Sequence, residues 1–233
     1  MGLFYEADKT FKQLLDIKKN FVFIGEAGSG KSETALNIAL KLAERGERAV
    51  DLFDLDQTKP LYRSRDLQQE FESRGVKIYY QDQYLDAPVM VGGVRASLVS
   101  DNFTLLDIGG GHQAAKYAGV YADLLSMENS LPVYVINPYR PWSKDVDSID
   151  ATMKHILGSM RIDHIYILAN PNLGYATTSD EFIKGLRITE ELFAGYTYIK
   201  SACLHRDIYE EAKERTEKEL IPLELFLSHS WAQ

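Results

Sequence analysis

Gly25-Glu26-Ala27-Gly28-Ser29-Gly30-Lys31-Ser32 fits the pattern G-x-x-x-x-G-K-[ST] without a gap. No other stretch constrains the fold as tightly, because an octapeptide of this kind works only between a strand and a helix. Both neighbours comply. Asn20-Phe21-Val22-Phe23-Ile24 is a short apolar run that reads as a buried strand. From Glu33 to Arg45, the residues Ala35, Leu36, Ala39, Leu42 and Ala43 fall on one helical face. Glycines let backbone N–H groups turn inward around a polyphosphate, and the helix N-terminus adds partial positive charge. Gly25, Gly28, Ser29, Gly30, Lys31, Ser32 and the adjoining Glu33 are therefore expected to hold a nucleoside triphosphate. Lys31 is placed to reach the β- and γ-phosphates, and the Ser32 hydroxyl to ligate Mg²⁺.

Around this loop, strand and helix patterns alternate. Residues 8–19 carry Phe11, Leu14, Leu15 and Lys18 at helical spacing. Further strands are expected at 48–53, 76–80, 103–108, 131–136, 162–169 and 196–199. Helices are expected at 66–74 and 94–100, after a Ser143 cap, and after the capping box Thr178-Ser179-Asp180-Glu181. The charge-dense stretch 207–220, with Glu211→Arg215 and Glu214→Lys218 at i,i+4, reads as an exposed helix. Such alternation predicts an α/β fold, a mostly parallel twisted sheet with helices on both faces in the three-layer manner of P-loop NTPases. Its 233 residues suit one nucleotide-binding domain over 1–233.

Composition narrows the setting. A net charge of -8 argues against wholesale binding to nucleic acid or anionic lipid. There is no apolar run long enough to span a membrane, and the N-terminus lacks the basic and apolar regions of a signal peptide. The lone Cys203 suits a reducing compartment, so a soluble cytoplasmic protein is expected. The tail 220–227 is apolar but acidic and interrupted by Pro222, and it is expected to pack on the domain.

In parallel α/β sheets, ligands sit outside the carboxyl ends of the strands. Four polar clusters follow expected strands here: Asp54-Leu55-Asp56-Gln57-Thr58-Lys59-Pro60, Asp107-Ile108-Gly109-Gly110-Gly111, Asn137-Pro138-Tyr139-Arg140-Pro141 and Asn170-Pro171-Asn172-Leu173-Gly174. On these residues and the phosphate-binding loop (P-loop), the chain resembles the MinD/ParA group of P-loop ATPases, part of the class that includes nitrogenase iron protein and CobQ-type enzymes. The resemblance runs from the P-loop to about residue 210, and it implies ATP and Mg²⁺ as ligands. It further implies that Asp56 lies in switch I near the attacking water and the metal, and that Asp107 is the Walker B aspartate. Gly110 would sense the γ-phosphate in switch II, and Asn170 would hydrogen-bond the purine base.

Ile108 follows Asp107 where AAA- and RecA-like ATPases carry a catalytic Glu. Gly111 follows Gly110 where a Ras-like protein has Gln, with Gln113 two residues further on. By elimination Asp56, and after it Asp54, is the carboxylate to orient water beside Lys31. After Asn170 come Pro171, Asn172 and Leu173, without the acid that a guanine-reading loop uses, so adenine is expected over guanine. Arg63, Arg65 and Arg140 either neutralise phosphate charge or lie solvated on the surface, and His112 falls in the switch II loop. Tyr62, Tyr139 and Tyr175 fall near loops, where they either stack on a base or partner or pack half-buried.

One position departs from the MinD/ParA pattern. Where that group has a signature lysine reaching the partner's phosphates, this chain has Glu26. A glutamate there repels a second triphosphate, so an ATP-driven sandwich dimer is not expected. Arg63, Arg65 or a backbone N–H of its own loop are alternative partners for Glu26. The leading functional expectation is a slow Mg²⁺-dependent ATPase that acts as a nucleotide-dependent switch on a protein partner. The alternatives are an ATP-dependent small-molecule kinase or ligase of the CobQ or dethiobiotin synthetase kind, with Asp82, Asp86 and Arg95 as acceptor groups, and a non-hydrolysing nucleotide-binding regulator.

Overall fold

The computed structural model describes residues 4–56, 67–80, 91–110, 115–116 and 118–227. Its strands are β1 (Phe4–Tyr5), β2 (Asn20–Ile24), β3 (Val50–Leu55), β4 (Val76–Tyr79), β5 (Phe103–Ile108), β6 (Ser130–Ile136), β7 (His164–Ala169), β8 (Ser201–His205) and β9 (Glu219–Leu223). They form one sheet in the order β4-β3-β5-β2-β6-β7-β8-β9, with β1 paired to the start of β7. Every pairing between these strands is parallel. The helices are α1 (Phe11–Ile17), α2 (Lys31–Ala43), α3 (Gln68–Ser73), α4 (Val94–Val99), α5 (Ala122–Leu125), α6 (Val146–Met160), α7 (Ser179–Phe193) and α8 (Tyr209–Lys213).

The period of two along each strand sorts the core into two layers. Phe21 and Phe23 of β2, Leu52 of β3 and Leu105 of β5 face the α1, α2 and α3 side, against Phe11, Leu36, Ile38 and Phe71. Val22, Ile24, Phe53 and Leu106 face the other side, against Leu98, Ile149, Met153 and Phe182 from α4, α6 and α7. A sheet buried on both faces explains why β2 reads as an unbroken apolar run rather than an alternating one. Helix α2, leaving β2, covers one face, whereas α6, leaving the neighbouring β6, covers the other. The carboxyl end of β2 therefore lies at a topological switch point, where parallel α/β sheets open a crevice for ligands.

Three expectations from the sequence need correction. Tyr196 to Ile199 is not a strand: the N–H groups of Tyr196 and Thr197 donate to Phe193 O at 2.8 and 2.9 Å, closing the end of α7. The strand is Ser201–His205, which lies in the sheet between β7 and β9. The stretch 207–220 is helical only over α8 and the single 3₁₀ turn Arg206–Ile208 before it, and from Glu219 it enters β9. Glu219 is held by tertiary bonds instead, accepting from Thr10 Oγ1, the Lys12 N–H and Ser201 Oγ at 2.8, 3.0 and 2.7 Å. Pro222 is accommodated because β9 ends the sheet, where a missing N–H leaves no ladder bond unmade. Ser143 does not cap α6, because it closes the 3₁₀ turn Pro141–Ser143. Asp145 caps the helix, accepting from Ser148 N at 2.7 Å. The Thr178 capping box forms as expected.

Candidate functional site

The loop from Gly25 to Gly30 joins β2 to α2 at the switch point. Gly25, Gly28 and Gly30 have φ of 145°, 77° and 88°. Gly25 is the strictest, since a Cβ there would run into the backbone carbonyl oxygen of Val135 as well as strain the backbone. Ser29 N donates to Glu26 O at 3.1 Å, closing the loop into a turn. Behind Gly30 the first residues of α2 present helix N-terminal amides, the usual donors to an anion. Gly110 approaches the same loop from β5, so closely that a Cβ there would stand 3.1 Å from Ala27 N.

Acidic side chains gather beside this loop. Asp54 on β3 and Asp107 on β5 are register partners on adjacent strands, and both are buried. Asp54 lies inside the strand rather than in the loop after it, because β3 runs on to Leu55. Its Oδ1 accepts from Asp56 N at 3.0 Å, which turns the chain at the strand end. Asp56 in turn reaches Lys31: its Oδ2 stands 3.7 Å from Nζ, with Lys31 2% and Asp56 6% exposed. A charge pair this buried is well defined, and removing either partner would take a close counter-charge from the other. Ser32, next to Lys31, is half-buried.

The donor set fits Mg²⁺, a hard cation held by one or two carboxylates together with phosphate oxygens and water rather than by a protein cage. Asp107, Asp56 and the Ser32 hydroxyl supply that type of oxygen. Among the described residues no cluster of three His, Cys, Asp or Glu side chains could hold a metal by itself.

The back of the loop is equally furnished, by side chains of the turns after β6 and β7, among them Trp142, which no motif singles out. Trp142 Nε1 donates to Ala27 O at 3.1 Å and Arg140 Nε to Gly28 O at 3.0 Å. Asn137 Nδ2 lies 3.5 Å from Gly28 O and donates to Asn172 O at 2.8 Å. Asn170 Nδ2 donates to Ser29 O at 2.7 Å, and Asn170 is 3% exposed. The amide expected to read a purine base thus spends one Nδ2–H on supporting the P-loop, while its second N–H and its Oδ1 keep their bonding capacity. Arg140 is likewise a loop-supporting group rather than a solvated one. The only signal in the sequence was the repeated Asn-Pro step after β6 and β7.

Glu33 turns away from the loop toward the chain's last described residues. Its carboxylate accepts from Phe226 N and, at 3.1 Å, from Leu227 N, while Asn37 bonds Glu224 N and O at 2.8 and 2.9 Å. Burial pushes the Glu33 carboxyl up to about 7, against the opposing effect of those two N–H donors. Its side chain therefore binds the segment 224–227, which packs along α2 as the tail was expected to. Glu26 is half-buried, and after burial its charge is the second cause raising the Tyr134 phenol.

Other candidates fall into place or out of range. Arg95 bonds both carboxylate oxygens of Asp123 at 3.0 and 3.1 Å on the surface. Tyr139 donates to Glu181 O, and Tyr175 donates to Leu225 O at 3.3 Å with His205 edge-on to its ring. Arg63, Arg65, Tyr62, Asp82, Asp86, Gly111, His112 and Gln113 lie outside the described residues.

No protein-family model matches the chain, and no curated protein matches it in sequence. Solved structures do. Chloroplast FtsY from Physcomitrella patens aligns at a TM-score of 0.52 and 12% identity, over 82% of this chain and 65% of that one. The cell division protein ftsY from Thermotoga maritima aligns at 0.51 and 13% identity, over 83% of this chain and 68% of that one. This fold is a P-loop NTPase fold. At such identity the likeness concerns architecture alone, and the chain spans about two thirds of the length of these two proteins. Within the P-loop NTPase fold, the loop, the Lys31–Asp56 pair and Asp107 occupy the crevice at the carboxyl ends of β2, β3 and β5. Among the described residues no helix is long and apolar enough to cross a membrane.

Proposed function

We propose that this protein binds ATP with Mg²⁺ in the P-loop, hydrolyses it slowly, and acts as a nucleotide-dependent switch on a protein partner. The observation that carries the reading is the buried Lys31–Asp56 pair at 3.7 Å. It joins the phosphate-binding lysine to the strand end where the MinD/ParA resemblance expects switch I. A triphosphate competes with Asp56 for Lys31, so nucleotide binding is coupled to the conformation of the chain after β3. That coupling is what a switch requires.

In the proposed site the P-loop amides and Lys31 bind the β- and γ-phosphates. Asp107, Asp56 and Ser32 provide the oxygens for Mg²⁺, which when bound neutralises charge on the β- and γ-phosphates. Asp56, released from Lys31, is the group to orient the attacking water. Asp54 holds the Asp56 backbone in place through its hydrogen bond. Phosphoryl transfer depends mostly on positioning and electrostatics, so this small set of groups suffices for a slow reaction. The base preference rests on the absence of an acid after Asn170. The protein partner is inferred from the switch character of the site, and Glu26 opposes a second copy docking across its own P-loop.

Calorimetric titration of the parent protein and Lys31→Ala with Mg·ATP and Mg·GTP tests the proposal. The parent should bind Mg·ATP more tightly than Mg·GTP, and Lys31→Ala should weaken binding about 100-fold through loss of a charge-assisted phosphate contact. Equal affinities for parent and variant would remove the P-loop assignment, and tighter GTP binding would overturn the adenine preference. Phosphate release stimulated by small metabolites, but not by protein fractions, would favour a kinase or ligase.

A further inference from the structure

Three consecutive carbonyls of the P-loop, those of Ala27, Gly28 and Ser29, are each held from behind by side chains of other segments. Trp142 Nε1 takes Ala27 O, Arg140 Nε takes Gly28 O and Asn170 Nδ2 takes Ser29 O, at 3.1, 3.0 and 2.7 Å. Two turns supply these donors, one after β6 and one after β7. They are tied together, since Asn137 Oδ1 accepts from Tyr139 N at 3.1 Å and from Asn172 N at 3.3 Å. The first turn is itself closed by Arg140 N on Asn137 O and Ser143 N on Arg140 O, at 3.1 and 2.9 Å.

In a trans peptide the carbonyl and the N–H of the same plane point in opposite directions. Holding Ala27 O and Ser29 O on the outside therefore directs the N–H groups of Gly28 and Gly30 to the opposite side. The intervening plane is fixed at both ends, because Gly28 O is bonded to Arg140 and Ser29 N to Glu26 O. The flanking Gly28 and Gly30 are the residues with the least intrinsic conformational preference, so external bonds are what select one orientation. A loop whose amides are already oriented loses less conformational entropy on binding an anion.

We propose that the Asn137–Trp142 and Asn170–Asn172 turns form a rear clamp that pre-orients the P-loop amides and so sets nucleotide affinity, with Arg140 and Trp142 as positioning residues. Trp142 is 47% exposed, so its indole is not needed to fill the core. Arg140 acts through its Nε hydrogen bond, not through its charge. The clamp rests on the proposed occupation of the P-loop by nucleotide phosphates.

The test uses the full chain with Mg·ATP. Trp142→Phe keeps a ring and removes the N–H, and should raise Kd about five-fold with an unchanged melting temperature. Arg140→Ala should raise Kd about ten-fold. Arg140→Gln places an amide nitrogen at the same number of bonds from Cα as Arg Nε but carries no charge, and should bind within about two-fold of the parent. If Arg140→Gln is as weak as Arg140→Ala, the charge matters rather than the hydrogen bond and the clamp is wrong. Variants that bind as tightly as a binding-competent parent would overturn the clamp alone. A parent that binds no nucleotide would overturn the proposed function and the clamp with it.

Discussion

Glu33→Gln should flatten the pH dependence of stability between about pH 4.5 and 7. Glu33 is 8% exposed, and burial lifts its carboxyl from an ordinary 4.5 to about 7. Between those values the folded protein binds a proton that the unfolded chain releases. Stability is therefore fully present below 4.5 and falls as pH rises toward 7. At ~1.4 kcal/mol per pH unit, the rise corresponds to about 3 kcal/mol lost by pH 8. The glutamine amide carries no such titration. Like the protonated carboxyl, it keeps one acceptor for the N–H groups of Phe226 and Leu227. The variant should therefore be roughly 3 kcal/mol more stable than the parent at pH 8, with the advantage gone near pH 4.5. Urea unfolding of both proteins without nucleotide, at half-unit steps from pH 4.5 to 8, isolates Glu33 because every other titration is common to the pair. Parallel stability profiles would refute the reasoning, whatever their absolute height.

Asp56→Ala should still bind Mg·ATP, because phosphate replaces the lost partner of Lys31, while turnover falls ~100-fold. Asp107→Ala should lose turnover and also shift the Mg²⁺ concentration needed for binding; a parent rate in Asp56→Ala would exclude its role in orienting water. With Glu26 intact, a hydrolysis-blocked protein should sediment identically with ATP and ADP, and a monomer-to-dimer shift with ATP alone would restore the sandwich mechanism. Cys203 is fully buried, and burial pushes its thiol up to about 12. A thiol-specific reagent should leave it unlabelled in the native protein and label it in denaturant, and rapid native labelling would contradict that burial.

The P-loop, the strand before it and the helix after it were legible because each is specified by residues near in sequence: the glycines, the apolar run 20–24 and the helical spacing of Ala35, Leu36 and Ala39. The capping box at Thr178 was legible for the same reason, since its bonds span three residues. Tertiary structure alone decided the last strands. Ser201–His205 is short and buried, and Glu219–Leu223 begins with a glutamate two of whose partners, Thr10 and Lys12, lie more than two hundred residues away. Residue type likewise left the roles of Arg140, Trp142, Asn170 and Glu33 open. Arginine and asparagine can serve equally on phosphate, base or backbone, and the partner is chosen by which segments the parallel crossovers bring side by side. Strand order β5-β2-β6-β7 carries the turns after β6 and β7 to the back of the loop after β2. There the carbonyls of Ala27, Gly28 and Ser29 needed donors, and these side chains were within reach.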